Sequence, residues 1–218
     1  MVFEWDLIVR YGPTLLQGLW MTVWIVSLAI IIAIVLGLPL SLALVSRSAC
    51  LRISIRVYVE IIRGTPILIV LFILYYGGPT IGLVLDAVPA GIIGMGLYGA
   101  AYFAEIFRSG LQSIPRGQVE AARMLGLTKG QVLFRVKGPQ MMSLILPPGA
   151  NQIVILIKES ALLSIITVPE MTKITAQIVA ETFAIVEPYV AIALLYWALI
   201  ELVSRLFRKL EKMVRYGQ

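Results

Sequence analysis

The sequence predicts an all-α polytopic membrane protein with five transmembrane helices, a cytoplasmic loop of two short helices, its N-terminus outside and its C-terminus inside. Three observations carry this reading. Hydrophobic residues make up 60% of the 218 and charged residues 14%, more apolar surface than a soluble chain of this size buries without large exposed patches. Five apolar segments approach or exceed the roughly 20 helical residues that cross a hydrocarbon core. The lysines and arginines are unevenly placed, with three between Ser46 and Arg56, six from Arg108 to Lys137 and five from Arg205 onward, fourteen of the 18. In a five-span chain those three stretches share one side, which the positive-inside rule makes the cytoplasm. The other side receives Arg10, Lys158 and Lys173, and the loop from Gly77 to Ala87 has no basic residue.

Taken in order, the N-terminal residues carry Glu4 and Asp6 instead of a basic leader, so the first span is expected to act as the insertion signal. That span, Leu19 to Val45, is longer than a bilayer needs, and Gly37 with Pro39 offers a place to bend. The second, Val57 to Tyr76, contains Arg63 and is interrupted by Gly64-Thr65-Pro66. The third, Val88 to Phe107, opens with glycines at 91, 94, 96 and 99, which permit close helix approach. The fourth begins near Met142 and loses its apolar character at Lys158. The fifth, Val186 to Phe207, holds Tyr196 and Trp197. Between the last two, Leu163 to Pro188 mixes Pro169, Glu170, Lys173, Glu181 and Glu187 with apolar residues. It reads as a short amphipathic or re-entrant helix on the outer side, with a plain surface helix as the equal alternative. No linker or internal repeat divides the chain, and residues 1–218 are expected to form one membrane domain.

The longest polar interval runs from Ser113 to Pro139. Pro115 suits a first helical turn, Gly126 a left-handed stop, and Thr128 with Gln131 a capping box that starts a second helix. A solvated loop with a basic face is the plain alternative. Enzyme chemistry is not expected. The chain has no phosphate-binding Gly-x-x-x-x-Gly-Lys motif, no histidine and no Gly-x-Ser-x-Gly elbow, so it should not hydrolyse ATP itself. Cys50 is the single cysteine, which rules out an intrachain disulfide and argues against a cysteine-based metal site. The net charge of +6 does not make a nucleic-acid surface, because no basic stretch is interleaved with aromatics. Glu201 and Glu211 flank basic residues at a helix end and read as solvated salt-bridge partners.

An ionisable group in hydrocarbon costs several kcal/mol unless it faces protein or water. Arg63, Glu105, Lys158 and Glu159 are therefore the informative positions. Arg63 and Glu105 read as a pair near the inner interface, locking the second and third spans. If the fourth helix starts near Leu144, Lys158 lies about 20 Å along it, past the bilayer centre. Lys158 and Glu159 point about 100° apart, so one of them is expected to face a cavity. Asn151 and Gln152 read as polar glue between helices.

These residues form a wider pattern. Arg63-Gly64-Thr65-Pro66, the run Ala101-Tyr102-Phe103-Ala104-Glu105-Ile106-Phe107-Arg108, Gly117-Gln118, Glu120-Ala121-Ala122, Gly126, Val136, Pro139, Asn151 and Lys158-Glu159-Ser160 together resemble the permeases of ABC importers, in the polar amino-acid uptake subfamily of histidine, glutamine and arginine permease type. The likeness covers nearly the whole chain. It departs at Gly138, where a leucine commonly precedes the proline, and at Glu159 and Ser160, where aspartate and threonine are more common.

The resemblance implies that Gly117, Gln118, Glu120, Ala121, Ala122 and Gly126 form a coupling loop that docks into a cleft on an ATPase subunit. It implies a substrate path along Arg63, Gly64, Thr65, Pro66, Tyr102, Glu105, Lys158, Glu159 and Ser160. The implied partners are a second permease copy or close relative, two cytoplasmic ATPase subunits that hold ATP and magnesium, an external binding protein and a polar amino acid, with no cofactor in this chain. The implied location is the prokaryotic cytoplasmic membrane. A zwitterion needs an anionic partner and free N–H donors, and the interrupted helix at Gly64-Thr65-Pro66 exposes backbone groups of that kind. A glutamate at 159 reaches further than an aspartate and favours a cationic side chain such as arginine. The competing readings are an ion-coupled secondary transporter, whose inverted repeats are not found, and a membrane anchor or scaffold, which gives no reason for Lys158 and Glu159 inside a span.

Overall fold

The computed structural model describes residues 4–216, and these are all-helical. Helix α1 runs unbroken from Trp5 to Leu44. Its buried residues Leu15, Gly18, Thr22, Ile25, Ala29, Ala33, Gly37, Ser41 and Leu44 recur every three or four positions, the spacing of one helical stripe. Forty residues at about 1.5 Å each span roughly twice the hydrocarbon core. The expected start at Leu19 is thus too late. The extra turns are helical because Leu7, Ile8 and Tyr11 pack with Leu15 against Met171, Ile174 and Ile178. Gly37 and Pro39 do not interrupt the helix either. A Cβ on Gly37 would come within 2.7 Å of the Phe103 Cβ, so this glycine serves close contact with the third span, not a bend.

Helix α2, Ala49–Gly64, is capped by the Ser48 hydroxyl, which accepts the Leu51 N–H at 3.5 Å. It ends where Pro66 drives Thr65 into an extended conformation, φ −108° and ψ 132°. The Thr65 hydroxyl donates to the Ile61 carbonyl at 2.8 Å. Helix α3, Ile67–Phe72, then continues through a π turn, Ile73–Gly77, and a 3-10 turn, Gly78–Ile81. The two halves meet at 108°, so the second span, expected from Val57 to Tyr76, is a broken element. Four further stretches are long and apolar enough to cross a membrane: Trp5–Leu44, Ala87–Gln112, Val132–Ile166 and Val186–Val214. Counting the bent pair as one span gives five among the described residues.

Helix α4, Ala87–Gln112, is the central element, with both faces rich in buried residues. Two of its glycines, Gly96 and Gly99, meet α1 directly. A Cβ on Gly96 would lie 2.7 Å from Ile32 Cγ2, and one on Gly99 2.8 Å from the Ala33 Cβ. Without a hydrophobic drive between helices in lipid, this small-residue seam supplies the packing. Helix α5, Arg116–Met124, follows. The second short helix expected after it does not end at Pro139. The turn α6, Lys129–Gln131, passes through a π segment, Val132–Lys137, into α7, Gly138–Glu159. Pro139 falls in the first turn of α7, where its missing N–H costs little. Past Glu159 the rod tightens into a 3-10 segment, Ser160–Ile166.

Helix α8, Met171–Thr182, buries Met171, Ile174, Thr175 and Ile178 along one face and is too short to span. It is the amphipathic helix expected between the fourth and fifth spans. Helix α9, Val186–Tyr216, closes the fold. Glu201 accepts from Arg205 at 2.8 Å and Arg208 at 2.9 Å, the solvated pairing expected there.

Candidate functional site

Two regions carry the predicted site residues. The first is the corner between α5 and α6. Pro115 precedes α5 in the N-cap position, and its carbonyl accepts the Gln118 N–H at 3.1 Å. The helix stops at Gly126, which holds φ 80°, a conformation that penalises any residue with a Cβ. The Leu127 N–H donates back to the Ala122 carbonyl at 3.2 Å and the Gly126 N–H to Arg123 at 2.9 Å, satisfying carbonyls at the helix end. The capping box follows: Gln131 Oε1 accepts the Thr128 N–H at 2.9 Å and Thr128 Oγ1 accepts the Gln131 N–H at 3.3 Å. Gly117, Gln118, Glu120 and Ala121 are exposed, while Ala122 is buried. The corner also presents Met124 at 89% exposure and Leu125 at 82%, with Phe134 exposed nearby. Sequence reasoning missed these three, because an apolar residue in a helical window reads as core until the fold shows which way it points. A cavity of about 480 Å³ beside the corner is lined by Arg116, Glu120, Arg123 and Lys137.

The second region is polar and lies among α2, α4 and α7. The expected Arg63–Glu105 pair is not formed. Glu105 is one helical turn from Arg108 and takes both its Nε and Nη2 hydrogens, a bidentate fit that a partner on another helix does not displace. Arg63 instead lies over the Tyr102 ring, 5.3 Å from its centroid, and Tyr102 donates to the Arg63 carbonyl at 3.5 Å. Arg63 and Glu105 do face a common cavity of about 240 Å³ with Arg56, Glu60 and Arg108. From Tyr102 the polar line continues to Tyr98, hydroxyl to hydroxyl at 3.1 Å. Lys158 is exposed, Glu159 half-buried and Ser160 buried. Gly64 and Pro66 are exposed at the break, with Thr65 half-buried. Of the expected helix glue, Asn151 is exposed, and Gln152 is buried with its Nε2 unpartnered.

Beyond Ser160 the chain reaches a buried carboxylate that the sequence did not single out for a role. Glu170 is 0% exposed and lies between the fourth and fifth spans. It caps α8, accepting the Lys173 N–H at 2.7 Å and the Thr172 N–H at 2.9 Å, and takes the Tyr196 hydroxyl hydrogen at 3.1 Å. Burial pushes its carboxyl above the usual range, opposed by these donors.

A model of the family described as "Binding-protein-dependent transport system inner membrane component" matches residues 29–216. The chain belongs to that family. It is a permease subunit of an ABC importer, a multi-pass component of the cytoplasmic membrane, and a transport component in which ATP hydrolysis falls to separate ATPase subunits. This permease is 39% identical to the Bacillus subtilis (strain 168) protein described as "Probable amino-acid ABC transporter permease protein YckA", over 97% of this chain and 93% of that one. It is 36% identical to the L-cystine transport system permease protein TcyB of the same organism, over 95% of this chain and 90% of that one. Among solved structures it superposes on an amino acid ABC transporter with histidines at TM-score 0.90 and 34% identity, covering 98% of this chain and 100% of the other. The methionine transporter MetNI, at TM-score 0.79 and 21% identity over 94% of this chain and 98% of the other, shares the fold. The ABC importer permease works beside ATPase subunits and a partner permease.

Proposed function

We propose that this permease carries a polar amino acid into the cytoplasm and that the Gly126 corner receives the force of the ATPase. The observation that carries this reading is the corner itself. A left-handed Gly126 and a reciprocal capping box fix the angle between α5 and the α6–α7 rod, while Met124 and Leu125 stand exposed at the corner with Phe134 nearby. Exposed apolar anchors on a rigid element are what a docking cleft grips. In this reading Gly117, Gln118, Glu120, Ala121, Ala122 and Gly126 form the coupling surface. ATP and magnesium are held by two cytoplasmic ATPase subunits, and the chain needs no cofactor of its own. Because the corner is the foot of a continuous rod ending at Glu159, its displacement moves Lys158, Glu159 and Ser160 with it.

The substrate path runs along Arg63, Gly64, Thr65, Pro66, Tyr102, Glu105, Lys158, Glu159 and Ser160, to which Tyr98 is added. The amino-acid transporters among the relatives support this cargo. An external binding protein delivers it, a second permease copy or close relative completes the path, and Glu159 favours a cationic side chain. The N-terminus lies outside and the C-terminus in the cytoplasm, in keeping with the placing of the basic residues. With Cys50 replaced by serine, cysteines placed at the exposed positions Val84 and Gly117 should then be labelled from opposite sides, Val84→Cys from outside. The decisive experiment on function is purification of the permease with its ATPase. Tight co-purification and ATP hydrolysis stimulated by a loaded amino-acid-binding protein are expected. A permease that transports with no ATPase bound would overturn the assignment.

A further inference from the structure

The junction between α7 and α8 is tied from both sides. The rod changes from α to 3-10 geometry at Ser160, reverses at Thr167, which holds φ 67°, and re-enters a helix at Met171. At that entry α1 supplies the Thr22 hydroxyl, which accepts the Met171 N–H at 3.2 Å, and Gly18, whose added Cβ would lie 3.0 Å from the Met171 Cα. From the other side α9 supplies Tyr196. Its hydroxyl hydrogen goes to Glu170, its oxygen lies 3.5 Å from Thr172 Oγ1, and it adjoins the Ser160 hydroxyl. Ser160 directs its own hydrogen to the Ile157 carbonyl at 2.7 Å. One phenol therefore lies beside the residue after Glu159 and bonds to the cap of α8.

A carboxylate that is completely buried is expensive unless its lone pairs are filled. Here two backbone N–H groups and one phenol fill them, and no cation lies within ion-pair distance among the described residues. A helix cap requires less than this, since an exposed serine suffices for α2. What the buried carboxylate adds is a fixed point to which an outside helix can be bonded.

We propose that Tyr196 and Glu170 are positioning residues for the path segment Lys158-Glu159-Ser160. The Tyr196–Glu170 bond locks α9 to the start of α8, and the same phenol buttresses Ser160, so the rotation of Glu159 about the α7 axis is set from α9. This inference rests on the reading of Lys158, Glu159 and Ser160 as part of the path, and it adds residues that do not line it.

The test uses the complete complex of permease, ATPase and binding protein in liposomes, with two measurements. In the first, amino-acid uptake is followed for Tyr196→Phe, which keeps the ring and loses one hydrogen bond. The apparent KM should rise about three- to tenfold, the worth of one such bond, with basal ATP hydrolysis retained and the melting midpoint lowered, because the buried Glu170 carboxyl loses a donor. In a Ser160→Ala background the same change should add little, because it acts through Ser160. In the second, Cys50 is first replaced by serine, and the reactivity of Glu159→Cys toward a methanethiosulfonate reagent is compared with and without Tyr196→Phe. A change of about threefold or more is expected. An unchanged KM, a KM rise fully additive with Ser160→Ala, or unchanged thiol reactivity each overturns the inference. Failure of the unsubstituted complex to take up any amino acid sinks the cargo reading instead, and the thiol measurement still judges the linkage.

Discussion

At the Gly126 corner every bond that shapes the turn comes from nearby in the chain. Leu127 reaches back to Ala122, and Thr128 and Gln131 cap each other. At the Glu170 junction the local bonds to Thr172 and Lys173 are joined by bonds from 149 residues away, through Thr22, and 26 residues away, through Tyr196. The corner is exposed and keeps its shape without leaning on the rest of the fold, as suits a part that another protein grips. The junction is buried and takes its shape from α1 and α9, so any shift between those helices reaches the path. A single α6–α7 rod connects the two, which makes one the receiver of force and the other the place where it acts.

The largest expected effect lies at the corner. Gly126→Val puts a β-branched residue at φ 80°, at a cost of about 1–2 kcal/mol, and misdirects the rod. Uptake should fall more than about tenfold with the ATPase still bound. A variant that assembles and transports normally would break the contrast between the regions. Next comes Glu159→Gln, which keeps size and removes charge. Uptake of arginine should weaken about one to two powers of ten more than that of glutamine. Equal losses for both solutes with a lowered melting midpoint would make Glu159 a structural residue.

Thr128→Ala sharpens the comparison with a milder change. It deletes half of the capping box, at about 1 kcal/mol, and should lower the stimulation of ATP hydrolysis by substrate while leaving arginine and glutamine uptake in their original ratio. The smallest effect concerns pH. Burial raises the Glu170 carboxyl, so the folded chain keeps this proton to a higher pH than the unfolded chain does. The stability contributed by the site is complete below the ordinary carboxylate range and is lost as pH rises through the raised value. Glu170→Gln should therefore lose less of its melting midpoint than the unsubstituted complex between about pH 5 and about pH 8. An identical pH profile would assign the slope to other groups.

The same contrast explains what could be read before the fold was seen. Gly126, Thr128 and Gln131 announce a corner within six residues, because capping is a local contest for backbone hydrogen bonds. The apolar spans are legible for the same reason. The break at Thr65 follows from Pro66, although its 108° angle depends on what α3 packs against. The start of α1 at Trp5 was hidden because Leu7 and Ile8 find their partners beyond residue 170. Glu105 went to Arg108 and not to Arg63 because a helical neighbour one turn away is always in reach. Glu170 gave no local sign of its role, since a buried carboxylate is explained only by the donors gathered around it.

The account turns on ATP driving the path through the corner, and uptake into liposomes filled with ATP tests this most directly. Arginine and glutamine should accumulate only when ATP is present with the ATPase subunits, and ionophores that collapse proton and sodium gradients should leave the rate unchanged. Accumulation that needs an ion gradient and proceeds without ATP would contradict it.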